Sequence, residues 1–168
     1  REYALSWPRV TTSGENKDII HIACASQYTD EYTGNTVTAQ FYCRSTDGQN
    51  WEVGYSPLAE TDEHITIYGP DDYTISSNGD VVAICYASVF YGDVLVYKST
   101  DNGQSWERML VWENPFAGNW ETDENTLTGD TPAQTPVHST CVVGPDGTVH
   151  VAFSVINYIH NELGTSFN

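Results

Sequence analysis

The chain has 168 residues, with 23 Asp and Glu against 6 Lys and Arg, and a formal net charge of −17 at pH 7. A surface this acidic repels phosphate backbones and anionic lipids, so nucleic acid is excluded as an expected partner. No stretch approaches the roughly 18 consecutive apolar residues of a membrane-spanning helix, and we expect no membrane span.

Aromatic residues make up 12% of the chain, led by eleven Tyr and five Trp, and this composition favours strands over helices. The four cysteines lie in apolar, strand-like stretches at Cys24, Cys43, Cys85 and Cys141. Their spacing does not match a zinc site. Disulfides and buried free thiols are both compatible with this pattern.

A short apolar strand pattern occurs three times along the chain, at residues 18–26, 80–88 and 148–154. A turn precedes each copy, and the second and third turns contain an Asn-Gly and an Asp-Gly pair. Such pairs between apolar runs are strong hairpin signals because both residues tolerate positive φ. We therefore predict three hairpins of one common design.

A second motif, centred on an aspartate, occurs twice and out of phase with the first. Its copies are Ser45-Thr46-Asp47-Gly48-Gln49-Asn50-Trp51 and Ser99-Thr100-Asp101-Asn102-Gly103-Gln104-Ser105-Trp106. Each copy follows one alternating, strand-like stretch and precedes another. In chain order, one unit is therefore two strands joined by a tight turn, a longer loop, a third strand, an Asp turn and a fourth strand.

The aspartate motif resembles the Asp box, Ser-x-Asp-x-Gly-x-x-Trp, of the BNR repeats in sialidase-like β-propellers. The second copy fits in full, whereas the first lacks one residue between Asp47 and Gly48. The resemblance implies an all-β chain of β-propeller blades, each a four-stranded antiparallel sheet. The blades are expected at about residues 8–55, 73–112 and, in part, 138–168.

About two and a half blades cannot close a ring, because propellers have about four to eight. We therefore expect an incomplete propeller with an open blade face. The partners expected on that face are the remainder of the protein's own propeller or another chain. A self-standing β-sandwich built from the same strands is the alternative architecture.

The residues of the Asp boxes are expected to have structural roles. The carboxylate accepts hydrogen bonds from backbone N–H groups of its own turn, as in Asx-turns. Glycine supplies an unusual backbone angle, and tryptophan fills an apolar layer. In the family, the boxes lie on the propeller face away from the substrate. The residues of this structural group are Ser45, Asp47, Trp51, Ser99, Asp101, Gly103 and Trp106.

The remaining loops, which we expect on the opposite face, combine aromatic and acidic residues. Flat rings stack on sugar C–H faces and carboxylates accept hydrogen bonds from hydroxyls, which suits a neutral carbohydrate. Three charged or titratable residues are expected near the starts of the first strands, around the channel mouth. Packing of the loops onto the blade edges is the alternative explanation. The candidate ligand-binding residues are Arg9, Tyr32, Asp72, Tyr91, Trp120 and His138.

These features favour a secreted or cell-surface protein that binds or processes carbohydrate, with a glycan or glycoprotein as its partner. A non-catalytic adhesion or protein-interaction propeller is the alternative. An exo-sialidase is less favoured, because Arg44 and Arg108 flank the Asp boxes and Trp7-Pro8-Arg9 does not match the family's arginine motif.

The sequence identifies no catalytic residue; an enzyme of this kind would be a glycoside hydrolase. No cofactor is expected, although the acidic residues within 121–130 leave Ca²⁺ open as a ligand.

Overall fold

The computed structural model describes residues 5–29, 36–55, 72–87, 92–115, 131–161 and 164–167, and within these ranges the chain is all-β. No helix in this part of the chain has the length and apolar character needed to cross a membrane. The strands are β1 (Leu5–Ser13), β2 (Ile19–Thr29), β3 (Thr36–Ser45), β4 (Glu52–Tyr55), β5 (Tyr73–Asn78), β6 (Val81–Ala87), β7 (Val94–Ser99), β8 (Glu107–Trp112), β9 (Thr131–Val143), β10 (Val149–Asn161) and β11 (Gly164–Phe167).

The strands form three antiparallel sheets in which neighbours in sequence are also neighbours in space. β1 to β4 make the first sheet, β5 to β8 the second, and β9 to β11 the third. The all-β class and the four-stranded antiparallel sheets predicted from the repeats are confirmed. The hairpin turns use glycine at positive φ, with +56° at Gly79 and +78° at Gly147.

The three sheets stack face to face, with the second sheet in the middle. Strand β6 alternates between two cores: Val82 and Ile84 pack with the first sheet, whereas Ala83 and Cys85 pack with the third. We call the face of a sheet toward the next sheet in the chain its front, and the opposite face its back. All four cysteines are buried as free thiols.

Polar contacts join adjacent sheets along their first strands. Between β1 and β5, Thr11 Oγ1 lies 2.7 Å from Ser77 Oγ. Between β5 and β9, the backbone N–H of Val143 donates to Ser76 Oγ at 3.2 Å. Because Ser76 and Ser77 are consecutive, β5 presents one hydroxyl to each neighbouring sheet.

Two strands begin earlier than the repeats suggest. β1 starts at Leu5 and β9 at Thr131, whereas the repeats were expected to start at about residues 8 and 138. Both segments contain prolines, which in a sequence indicate the end of a strand. Prolines are tolerated here because β1 and β9 are edge strands of their sheets.

Candidate functional site

The first Asp turn connects β3 to β4 and is organised by the Asp47 carboxylate. Asp47 Oδ1 accepts hydrogen bonds from the backbone N–H groups of Gln49 at 2.8 Å and Asn50 at 2.7 Å, and Oδ2 accepts from Asn50 Nδ2 at 2.7 Å. These hydrogen bonds, above all that from the Asn50 N–H, hold the pKa of the Asp47 carboxyl well below its ordinary value. A carboxylate bound to its own turn in this way is poorly suited to act as an acid or a base.

The second Asp turn connects β7 to β8 and repeats the arrangement. Asp101 Oδ1 accepts from the backbone N–H groups of Gln104 at 3.0 Å and Ser105 at 2.8 Å, and Oδ2 accepts from Ser105 Oγ at 2.6 Å. The Gly103 N–H donates to Ser99 Oγ at 2.8 Å. The hydrogen bonds from Ser105, side chain first and backbone second, lower the pKa of Asp101. Both turns lie between the third and fourth strands of consecutive sheets.

Asn102, which has no counterpart in the first turn, links the second sheet to the first. Its φ of +57° is uncommon for a residue other than glycine. Its backbone N–H donates to the Asp80 carbonyl at 2.9 Å, and its own carbonyl accepts from Arg44 Nε at 2.7 Å. Its side-chain Oδ1 accepts from Ser13 Oγ at 2.6 Å. The additional residue Asn102 therefore docks the second Asp turn on the front of the first sheet.

Ser13 extends this link to a buried histidine. Ser13 Oγ lies 2.6 Å from His21 Nε2, and His21 Nδ1 lies 2.7 Å from the Tyr42 hydroxyl. Because the Ser13 hydroxyl donates its proton to Asn102, it accepts from the Nε2–H of His21, whose Nδ1 then accepts from Tyr42. This arrangement requires a neutral ring. Burial, and secondly the charge of Arg44, lower the pKa of His21 to about 4.

The tryptophans of the two Asp turns have different surroundings. Trp106 is partly buried and meets the ring of Tyr42, on the first sheet, edge-on at a centroid separation of 5.1 Å. Trp51 is 38% exposed. The indole of the second turn thus packs against the preceding sheet, and within the described chain the first turn has no preceding sheet to receive its indole.

Bulges interrupt two of the three first strands at equivalent positions. In β1 the pairing register shifts just before Arg9, and Trp7 has a φ of +55°. In β9 the register shifts at His138, which has a φ of +52°. In the second sheet, Asp72 takes the equivalent place immediately before Tyr73. Positive φ is costly for bulky residues, and both bulges and strain are concentrated near functional sites.

Arg9 and Asp72 lie in one electrostatic neighbourhood around Tyr73. Burial, and then the Cys24 thiol, raise the pKa of the Tyr73 phenol, while Arg9 lowers it and Asp72 raises it further. The Tyr73 hydroxyl donates to the carbonyl of Trp7 at 2.6 Å, so the second sheet holds the bulge of the first. Two of the candidate residues, Arg9 and Asp72, therefore lie close enough to the Tyr73 hydroxyl to act on it electrostatically.

The other candidate residues are placed differently. His138 is exposed on β9. It lies inside its strand, as Arg9 does, and not near the strand start where it was expected, because β1 and β9 continue beyond their bulges. Tyr32, Tyr91 and Trp120 lie outside the described residues, as does the acidic segment considered for Ca²⁺. Among the residues the structure does describe, no group of three His, Cys, Asp or Glu side chains is placed to hold a metal ion.

Gln40 is a buried polar residue that no sequence motif marks. It pairs with Ala25 of β2, whose other partner is Ser6 of β1, so it lies on the front of the first sheet, two strands away from the β1 bulge. Its side chain is 2% exposed, and neither amide atom has a hydrogen-bond partner within the described part of the chain. Leaving a polar group buried and unpaired costs about 1–3 kcal/mol. A single Gln in an alternating strand carries no sequence signal of such a position.

Comparison with protein-family models gives no match to this sequence, and comparison with curated proteins gives no relative. The residues and their geometry are therefore the basis for inferring function.

Proposed function

We propose that this chain is part of an extracellular Asp-box β-propeller that binds carbohydrate at the bulged ends of its first strands. The observation that carries the proposal is the junction of the first and second sheets, where Arg9 and Asp72 act on the Tyr73 hydroxyl and where Gln40, on the same face of the first sheet two strands from the β1 bulge, has a buried unpaired amide.

The order of the sheets supports the propeller architecture. Three meanders stack front to back, and their first strands are adjacent to one another. In a propeller the first strands surround the central axis, so their ends form the mouth of a channel where small ligands bind. The two Asp turns lie at the other end of their sheets, after β3 and β7, which fits the expected separation of structural and ligand-binding faces.

The chemistry of the junction suits a neutral sugar. Sugar hydroxyls both donate and accept hydrogen bonds, and the Gln40 amide offers one donor group and one acceptor group. Arg9 adds donors and Asp72 adds acceptors. The net charge of −17 disfavours an anionic ligand.

The environment of Arg44 gives no support to an exo-sialidase. Its Nε donates to the Asn102 carbonyl, and its Nη1 lies 3.1 Å from Glu52 Oε1. The side chain is 10% exposed. A guanidinium held by these partners is not free to bind the carboxylate of a substrate.

A glycan-array screen with Gln40→Leu tests the proposal. The substitution removes an unpaired amide from a buried position, so the free energy of unfolding should rise by about 1–3 kcal/mol. Glycan binding should fall at least tenfold. Gln49 is an exposed glutamine of the first Asp turn, and Gln49→Leu is the matched control. It should change neither the free energy of unfolding nor glycan binding.

The two possible negative results have different meanings. If Gln40→Leu binds glycans as the wild type does, the proposed location is wrong. If the wild-type array is blank, the carbohydrate proposal is wrong and the alternative of a protein-interaction propeller gains support. That alternative is favoured by the exposed apolar residues Val10, Trp51 and Val53 on the first sheet and its Asp turn.

A further inference from the structure

Two of the four cysteines are neighbours on the back of the first sheet. Cys24 of β2 pairs with Phe41 of β3, and Cys43 lies two residues further along β3. The adjacent residues Ala23 and Tyr42 point into the core between the first and second sheets, so both cysteines point to the opposite face. The two thiols therefore occupy diagonal positions on adjacent antiparallel strands.

The two thiols also interact directly. The Cys24 thiol donates a hydrogen bond to the Cys43 sulfur, and this bond lowers the pKa of Cys43 to about 7, although burial acts in the opposite direction. The same hydrogen bond, followed by burial, raises the pKa of Cys24. Cys43 is therefore the thiol that ionises first, and its thiolate is a nucleophile near neutral pH. Cys24 keeps its proton and lies within reach of the Cys43 sulfur.

The other two cysteines have different surroundings. Cys85 and Cys141 lie in the core between the second and third sheets. Burial raises the pKa of Cys85 to about 11 and that of Cys141 to about 12. At pH 7 about half of Cys43 is thiolate, whereas the thiolate fraction of Cys85 and Cys141 is roughly 10⁻⁴ or less. The chain thus contains two unreactive thiols that serve as internal controls.

Cys43 lies one strand away from the margin of the described sheet. Its cross-strand partner on the outer strand β4 is Val53, which is 64% exposed. β4 has four residues, and a short edge strand opens at low cost because few hydrogen bonds hold it. Cys43 itself is 5% exposed in the closed sheet. A small, uncharged oxidant such as hydrogen peroxide is therefore the reagent best suited to reach its sulfur.

We propose that Cys24 and Cys43 are a peroxide-sensitive pair, in which Cys43 is oxidised first and Cys24 is the resolving thiol. The Cys43 thiolate attacks one oxygen of hydrogen peroxide and becomes a sulfenic acid, and the displaced hydroxide takes up a proton to form water. The Cys24 sulfur then attacks the Cys43 sulfur, and the sulfenic oxygen leaves as a second water with the Cys24 proton. Two thiols thus lose two electrons and two protons, which reduce one peroxide to two waters.

The diagonal geometry makes the resulting disulfide easy to reduce. Cα atoms at diagonal positions of an antiparallel pair are about 7–8 Å apart, whereas disulfides usually join Cα atoms about 4.4–6.8 Å apart. β2 and β3 must therefore shift toward each other when the bond closes, and strained disulfides are the more easily reduced ones. We expect a small thiol such as glutathione to restore both cysteines. This modification does not depend on carbohydrate binding.

Peptide mapping of the reduced, folded chain after brief treatment with hydrogen peroxide tests the pair. In the wild type, a disulfide between Cys24 and Cys43 should form at least about tenfold faster than Cys85 or Cys141 is oxidised, and glutathione should reverse it. In urea, where the fold is lost, this selectivity should disappear. The wild-type measurement needs no substitution, so it decides the proposal even where a variant does not fold.

Three serine variants test the separate roles of the two thiols. Cys24→Ser should accumulate a sulfenic acid at Cys43 that dimedone traps, because no resolving thiol remains. Cys43→Ser should give no dimedone adduct at Cys24, and the matched control Cys141→Ser should form the disulfide as the wild type does. Absence of the disulfide in the folded wild type, or equally fast oxidation of all four cysteines, would overturn the proposal. An adduct at Cys24 in Cys43→Ser would overturn the assignment of the two roles.

Discussion

Acidification is expected to weaken the junction between the first and second sheets through His21. The pKa of this histidine is about 4 in the folded protein, against an ordinary value of 6.5. Because the folded value is lower, the unfolded chain binds more protons between these two values, and stability falls as the pH falls through this interval. At 1.36 kcal/mol per pKa unit, the loss is about 3 kcal/mol at pH 4, and it levels off below that pH.

Urea unfolding followed by tryptophan fluorescence, at several pH values between about 7 and 4, measures this loss. The His21→Gln variant should be less stable than the wild type near pH 7, because Ser13 and Tyr42 lose their hydrogen-bond partner. Its free energy of unfolding should, however, lack the steep dependence on pH. The depressed pKa values of Asp47 and Asp101 give stabilisation that is present above the ordinary carboxyl pKa and lost only at lower pH. If the free energy of unfolding falls equally steeply with pH in the wild type and the variant between pH 6.5 and 4, the reasoning is refuted.

Two further comparisons each set one residue against another residue of the same type. Gly79→Ala should lower the free energy of unfolding by about 1–2 kcal/mol through its positive φ alone, because no atom lies near an added β-carbon. Gly103→Ala should lower it far more, because the new methyl group collides with the Tyr42 hydroxyl. Similar melting temperatures for the two variants would contradict this expectation. Asp101→Asn should lower the melting temperature more than Asp47→Asn, because the second turn docks on another sheet and, within the described residues, the first turn does not. Equal losses of melting temperature in thermal unfolding would show that the docking adds nothing.

The sheets could be predicted from the sequence because their signals are local. Alternating apolar residues define the strands, and Asn-Gly and Asp-Gly pairs mark two of the hairpins. The hydrogen bonds around Asp47 and Asp101 also follow from the motif, since an aspartate in a tight turn bonds the backbone just after it.

The joints between sheets were not predictable, because they depend on residues distant in sequence. Nothing in the local pattern distinguishes His21 from an ordinary half-exposed strand residue; its burial becomes apparent only when the turn around Asn102 is placed against it. The positive φ values of Trp7 and His138 carry no sequence signal, since neither residue is glycine. The aromatic loops that motivated the carbohydrate hypothesis lie mostly outside the described residues, and the candidate ligand set as a whole stays a prediction.

The most direct test of the stacked-sheet account is a cysteine pair across the first strands. Thr11→Cys with Ser77→Cys should form a disulfide in air, because the native side-chain oxygens are 2.7 Å apart. Thr11→Cys with Ser76→Cys should form none, because Ser76 faces the third sheet. Mass spectrometry of non-reduced digests distinguishes these bonds from any made by the native cysteines. Absence of the first disulfide, or equal formation of both, would contradict the front-to-back stacking.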